Sequence, residues 1–197
     1  MLDLAGPPRC AACGVLGHVL CTACRGELVE CPPLDALPPL ARLSAALLYE
    51  SVPRSLVLGL KLGGVRTRAG PLADAMCRAA WRDGISGDAV TWVTGNAVEA
   101  RRRGYDHAEV LARLVAARLG LPVRRLLAVA TAKSDQTALS GAQRRDNPKG
   151  AFVARPVHGR MVLVDDVMTT GATICACAGA LLSAGAASVE GLVGCRA

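Results

Sequence analysis

The sequence predicts an α/β protein, a parallel sheet with flanking helices, preceded by a small cysteine-rich module. Three observations carry that expectation. Short apolar runs of strand type alternate with stretches of helical periodicity from residue 90 onward, the pattern of a parallel sheet covered on both faces. Five of the nine cysteines lie within the first 31 residues. One apolar run, residues 161–164, passes directly into two carboxylates, Asp165 and Asp166, then a turn of small and hydroxyl-bearing residues, then the start of an amphipathic stretch.

Taken in order, the chain opens with two knuckles, Cys10-x2-Cys13 and Cys21-x2-Cys24, seven residues apart. That spacing suits four thiolates around one tetrahedral Zn²⁺, and the segment is too short and polar to bury a core without a metal. The alternative, two redox or disulfide pairs, is disfavoured in a cytoplasmic protein. His18 and Cys31 are spare ligands. A closed set of four thiolates leaves the metal no open position, so the expected role is structural. Cys77, Cys175, Cys177 and Cys195 sit among Ala and Leu and read as small buried hydrophobes.

Residues 31–39 form a proline-rich, extended connector. Apolar residues in 40–48 recur with helical spacing. A helix over 49–62 should be interrupted at Pro53. Residues 61–66 read as a glycine-hinged basic turn and 69–81 as a helix. Residues 90–94 read as a buried strand. Asp106, with Glu109 three residues on, marks a helix start, continued on one face by Val110, Leu111, Leu114, Val115 and Leu119. Strands are expected at 126–130, 151–153, 161–165 and 188–194, with a helix over 173–184. The stretch 131–150 is polar, basic and too long for a simple connection. The expected division is a metal module and connector over 1–37 and a second domain over 38–197, with 38–88 a helical hood and 89–197 the core.

Composition bounds the function. A net charge of +7, carried almost wholly by arginine, favours anionic partners, whether phosphorylated small molecules or nucleic acid. With hydrophobic content of 52% and aromatic content of 3%, the core is expected to rest on Ala, Val and Leu. Residues 1–8 show neither a positive n-region nor an apolar h-region, and no run reaches the ~18 apolar residues of a membrane span. A cytoplasmic protein without membrane insertion is expected.

The segment 162–174 carries the chemistry. Exposed N–H groups at a helix start attract phosphate, the hydroxyls of Thr169, Thr170 and Thr173 add donors, and Gly171 with Ala172 lets backbone approach a ligand. Asp165 and Asp166 can accept hydrogen bonds from ribose hydroxyls and hold a hydrated Mg²⁺. Each piece alone has an ordinary reading, a solvated strand end or an N-cap turn. Their order together favours a site for a phosphorylated sugar. No G-x-x-x-x-G-K-[ST] and no G-x-G-x-x-G occurs.

That string resembles the phosphoribosyl pyrophosphate (PRPP) signature of type I phosphoribosyltransferases. Residues 103–109, Arg-Gly-Tyr-Asp-His-Ala-Glu, resemble the Arg-Gly-aromatic-Asn/Asp-x-Ala motif of ComF proteins, and Gln136, Leu139, Arg144 and Asn147, leading to residues 150–152, are similar to that family's central basic segment. The resemblance covers nearly the whole chain. It implies a zinc ribbon followed by a type I phosphoribosyltransferase fold, and an association with handling incoming single-stranded DNA in bacteria that take up DNA. It also implies that Thr94 and Gly95 lie in the loop that helps hold pyrophosphate, Thr94 standing where proline is usual. Asp165 and Asp166 would hold ribose, and residues 169–173 the 5′-phosphate. Arg144, with Lys133 and Lys149 as alternatives, would close over pyrophosphate; an ordinary solvated basic loop is the equal reading for them. Arg103 is singled out from residues 101–103 by its motif alone. A homodimer is a family-level expectation.

Three functions stay open at this point: a phosphoribosyltransferase using a nitrogen nucleophile, an accessory protein binding single-stranded DNA, and a PRPP-sensing regulator. Single-strand binders stack bases on aromatics, and only Tyr49, Trp81, Trp92, Tyr105 and Phe152 are available.

Overall fold

A computed structural model describes residues 7–62, 65–94, 104–130 and 151–197. Four strands form one all-parallel sheet: β1 (Arg42–Leu48), β2 (Ala89–Trp92), β5 (Arg160–Met168) and β6 (Ser188–Arg196), in the order β1-β6-β5-β2. The remaining strands, β3 (Leu127–Val129) and β4 (Phe152–Ala154), pair antiparallel in a separate two-stranded sheet. The α/β expectation with a parallel sheet is met.

Helices cover both faces. α3 (Ala69–Asp83) and α4 (His107–Leu119) pack on one, burying Leu72, Met76, Leu111 and Val115 against Val90, Val162, Val164 and Leu192. α5 (Ala172–Ser183) and the β3–β4 pair cover the other, around Leu163, Ile174, Leu181 and Val193. The strands are buried on both faces and so read as continuous apolar runs. That explains the first correction. Residues 40–48 are not a helix; 42–48 form β1, whose five central residues are all buried. An apolar run buried on both sides has no period that separates strand from helix.

The second correction concerns α2 (Ser51–Lys61), which runs through Pro53 without interruption. Pro53 is its third residue, where the backbone N–H would have no intrahelical acceptor, so a proline costs no hydrogen bond. The third concerns β5, which does not stop at the first acid but continues through both to Met168. β6 pairs with it along that whole length, so the acids lie within the ladder.

Both edges of the sheet are covered. Cys31 N–H donates to Ala46 O (3.0 Å) and Leu48 N–H to Val29 O (3.0 Å), so residues 29–31 run along the free side of β1. On the far side, Val90 N–H donates to Pro122 O and Arg124 N–H to Val90 O, each at 2.9 Å. The N-terminal module contains a helical turn, α1 (Thr22–Gly26), and packs Cys10, Leu20 and Cys24 against Val52 and Leu56 of α2. The buried thiols Cys77, Cys177 and Cys195 belong to the apolar cores, as expected.

Candidate functional site

In parallel sheets ligands bind beyond the carboxyl ends of the strands. At that end of β5 stand Asp165 and Asp166. Asp166 is 2% exposed and faces the side chains of Lys61 and His107. Lys61 Nζ lies 2.8 Å from its Oδ2 and His107 Nε2 lies 3.4 Å from the same oxygen. That oxygen is buried and accepts no aligned hydrogen bond, so the Lys61 contact is a charge pair rather than a directed bond. Asp165 Oδ1 accepts from the Asp166 backbone N–H at 2.9 Å. Burial first, and then the charge of Asp166 beside it, push the Asp165 carboxyl well above the usual carboxylate range; the Asp166 N–H and Lys61 pull the other way.

Local sequence places these two side chains. Lys61 is the last residue of α2. His107 opens α4, whose start is fixed by Asp106: one carboxylate oxygen accepts from Ala108 N–H (3.0 Å) and Glu109 N–H (3.5 Å), and the other from Trp92 Nε1 (3.2 Å). The capping expectation for Asp106 is met. Tyr105 ties the two helices together, its hydroxyl donating to the Leu60 carbonyl. The Arg66 guanidinium stacks 4.7 Å from the Tyr105 ring centroid and donates to Gly104 O. Lys61, Arg66 and His107 therefore gather on the side of the sheet that Asp166 faces.

Beyond β5 the turn leads to the N-terminus of α5. Thr169, Thr170, Ala172 and Thr173 are exposed, whereas Gly171 is buried with φ +79°. A Cβ on Gly171 would run into Leu37 Cδ2 of the connector, which packs beneath this turn, and the positive φ favours glycine there. Thr170 Oγ1 accepts from Ala172 N–H at 3.3 Å. α5 has no side-chain cap at Gly171 and no acid in its first turn, so its own first turn leaves the positive end of the dipole there unneutralised. Thr94 is already engaged: its hydroxyl donates to Leu127 O at 3.0 Å. Gly95, Arg103, Lys133, Arg144 and Lys149 lie outside the described residues.

The four cysteines come together as their spacing predicted. The Sγ atoms of Cys10, Cys13, Cys21 and Cys24 all lie within 4.8 Å of one another, with Cys13 and Cys21 at 3.7 Å. Tetrahedral thiolates about 2.3 Å from one Zn²⁺ stand about 3.8 Å apart, so the set fits a structural zinc. Burial raises the Cys10 thiol, but backbone N–H groups of Cys21, Cys13 and Ala12 outweigh it and bring it down to about 6. Cys24 moves the other way, raised first by the Cys21 thiol beside it and then by burial, so the fit to zinc rests on the geometry of the four sulfurs.

No family model matches the chain. Over 102 residues it is 40% identical to proteins called DNA utilization protein YhgH from Salmonella typhi and from Escherichia coli strain K12. The alignments cover 48% of this chain and 43% of each relative, so the chain spans under half the length of the curated relatives it matches. Among solved structures it is similar to the glutamine PRPP amidotransferase of B. subtilis complexed with ADP and GMP (TM-score 0.43, 21% identity, 64% of this chain and 26% of that one). It is also similar to orotate phosphoribosyltransferase from Aeropyrum pernix (TM-score 0.41, 17% identity, 87% and 89%).

Sequence reasoning named the acids and the 169–173 turn but missed Lys61 and His107 as their partners. His107 lay inside a motif already noticed. Lys61 is the sole lysine before residue 133, at the end of an apolar helix, a weak signal without the tertiary contact.

Proposed function

We propose that this chain is a PRPP-binding, phosphoribosyltransferase-like protein of the ComF family, with a zinc module over residues 1–37 and the transferase-like domain over 38–197. The observation that carries the reading is the placement of the acid pair one short turn before the uncapped N-terminus of α5. A ribose 5-phosphate has hydroxyls for carboxylates and a dianion for a helix start, and the two features lie in that order along one segment. In this reading Asp165 and Asp166 hold the ribose hydroxyls, and residues 169–173 cradle the 5′-phosphate.

The reaction this supports is a displacement at the anomeric carbon. A nitrogen nucleophile forms the new C–N bond, the C–O bond to pyrophosphate breaks, pyrophosphate leaves with the electron pair, and the nucleophile gives up its proton. Positive charge builds on the ribose ring, so buried carboxylate beside it is favourable, and the chain's part is positioning and charge complementarity. Mg²⁺, carried in with PRPP, would screen the polyphosphate; the two carboxylates, one with a buried oxygen free of directed hydrogen bonds, suit such a cation. In this reading Arg144, with Lys133 and Lys149 as alternatives, closes over the pyrophosphate, and Arg103, Thr94 and Gly95 help to hold it.

The test is thermal denaturation with saturating PRPP and Mg²⁺. A raised Tm is expected, and the shift should vanish in the Asp165→Ala, Asp166→Ala double variant. No shift in the wild type sinks the reading, and a shift that survives in the double variant refutes the roles of the acids.

A second reading, an accessory protein for single-stranded DNA, is supported by the net charge of +7 and by the name of the relatives. It expects oligonucleotide binding that weakens steeply with added salt. Trp81, 66% exposed on α3 beside Arg78 and Arg82, is the available stacking surface.

A further inference from the structure

A carboxylate as buried as Asp166 must be compensated, because an isolated charge removed from water is costly. The compensation comes from Lys61, whose side chain keeps about a third of its surface in solvent and reaches inward from the end of α2. The geometry is that of an inserted cation. Nζ stands 2.8 Å from Oδ2, yet that oxygen receives no aligned hydrogen bond from it. His107 approaches the same oxygen from α4. The ammonium thus occupies the space that another cation held at Oδ2 would need.

Two cations cannot share that space cheaply. An ammonium and a divalent ion a few ångströms apart repel by several kcal/mol at an effective dielectric constant of about 20. A lysine is suited to leave: its four-carbon stem is flexible, and its partly exposed position opens outward. On leaving it carries a positive charge to the rim, on the side where Arg66 already stands against Tyr105.

We propose that Lys61 is a built-in, displaceable counter-cation of the acid pair. It holds Asp166 in place while the site is empty, gives way to a divalent ion at Oδ2, and then pairs with the anionic part of the ligand that the ion accompanies. The inference deepens the PRPP reading and rests on it for the identity of that anion. The exchange of cations at Asp166 does not depend on it.

The test separates charge exchange from simple support. Mn²⁺ binding, read by electron paramagnetic resonance in the absence of any nucleotide or sugar, is compared in the full-length wild type, Lys61→Met and Lys61→Arg. Metal-free pyrophosphate binding is measured on the same proteins by calorimetry. Lys61→Met should tighten Mn²⁺ by about tenfold and weaken pyrophosphate by a similar factor. Lys61→Arg should stay near wild type for both. Opposed signs are the mark of an exchanged cation; a residue that only supports the fold would weaken both together. Unchanged Mn²⁺ affinity in Lys61→Met, or a parallel loss of both ligands, overturns the proposal. Lys61→Gln replaces Lys61→Met should the latter fail to fold. A protein that shows the Mn²⁺ effect yet no thermal response to PRPP would discard the PRPP reading and leave the cation exchange standing.

Discussion

Asp165 is an acid whose environment opposes its charge, and that has a measurable cost. Burial and the adjacent Asp166 raise its pKa in the folded chain above the unfolded value. The sign follows from proton linkage. A group with a raised folded pKa contributes stability that is full below the unfolded pKa and is lost as pH rises through the folded pKa. The ligand-free protein should therefore lose stability between acid and neutral pH at this residue. Asp165→Asn should flatten that loss and raise the neutral-pH Tm by a few degrees while removing the response to PRPP, as measured by thermal scans from about pH 4 to about pH 8. A variant no more stable than wild type at neutral pH would contradict the burial argument.

Elements differ in how openly the sequence declares them. α4 is declared locally, by Asp106 at its cap and by an apolar face, and it appears where expected. Asp106 does more than cap: it also accepts from Trp92 and sets the first residue, His107, against Asp166. Asp106→Ala should cost about 1–2 kcal/mol in urea denaturation and weaken PRPP binding; Asp106→Asn, which keeps an oxygen acceptor for the helix N–H groups, should retain most of the stability. A neutral Asp106→Ala would show that the cap is dispensable. β1 is the opposite case. Nothing in residues 42–48 distinguishes a strand from a helix, because the decision is made by β6 on one side and residues 29–31 on the other. β5 is intermediate: its apolar half is plain, but two acids look like a strand end until β6 is known to pair beside them. For the site, the acid pair and the 169–173 turn were legible because they are contiguous in sequence. Lys61 and His107 were not, since 105 and 59 residues separate them from Asp166 and only the folded chain brings them together.

At the scale of the molecule, three apolar clusters among the described residues divide the work. Two sandwich the sheet, and a third, smaller one joins Cys10, Leu20 and Cys24 to Val52 and Leu56. The four cysteines beside that cluster fit one structural zinc; on that reading stripping the metal with a chelator should lower the Tm, and metal analysis of fresh protein should find about one zinc per chain. Substantially less zinc would overturn the assignment. The run of residues 29–31 along β1 has a consequence for a chain shortened at its N-terminal side. Trimming the chain at the proline connector would leave the outer side of β1 with unpaired amides and carbonyls on a strand whose side chains are largely apolar. Such a bare edge invites another chain to dock on it. Residues 29–31 cover that edge in the full chain, and a shortened protein would be expected to leave a sizing column as oligomers or not at all.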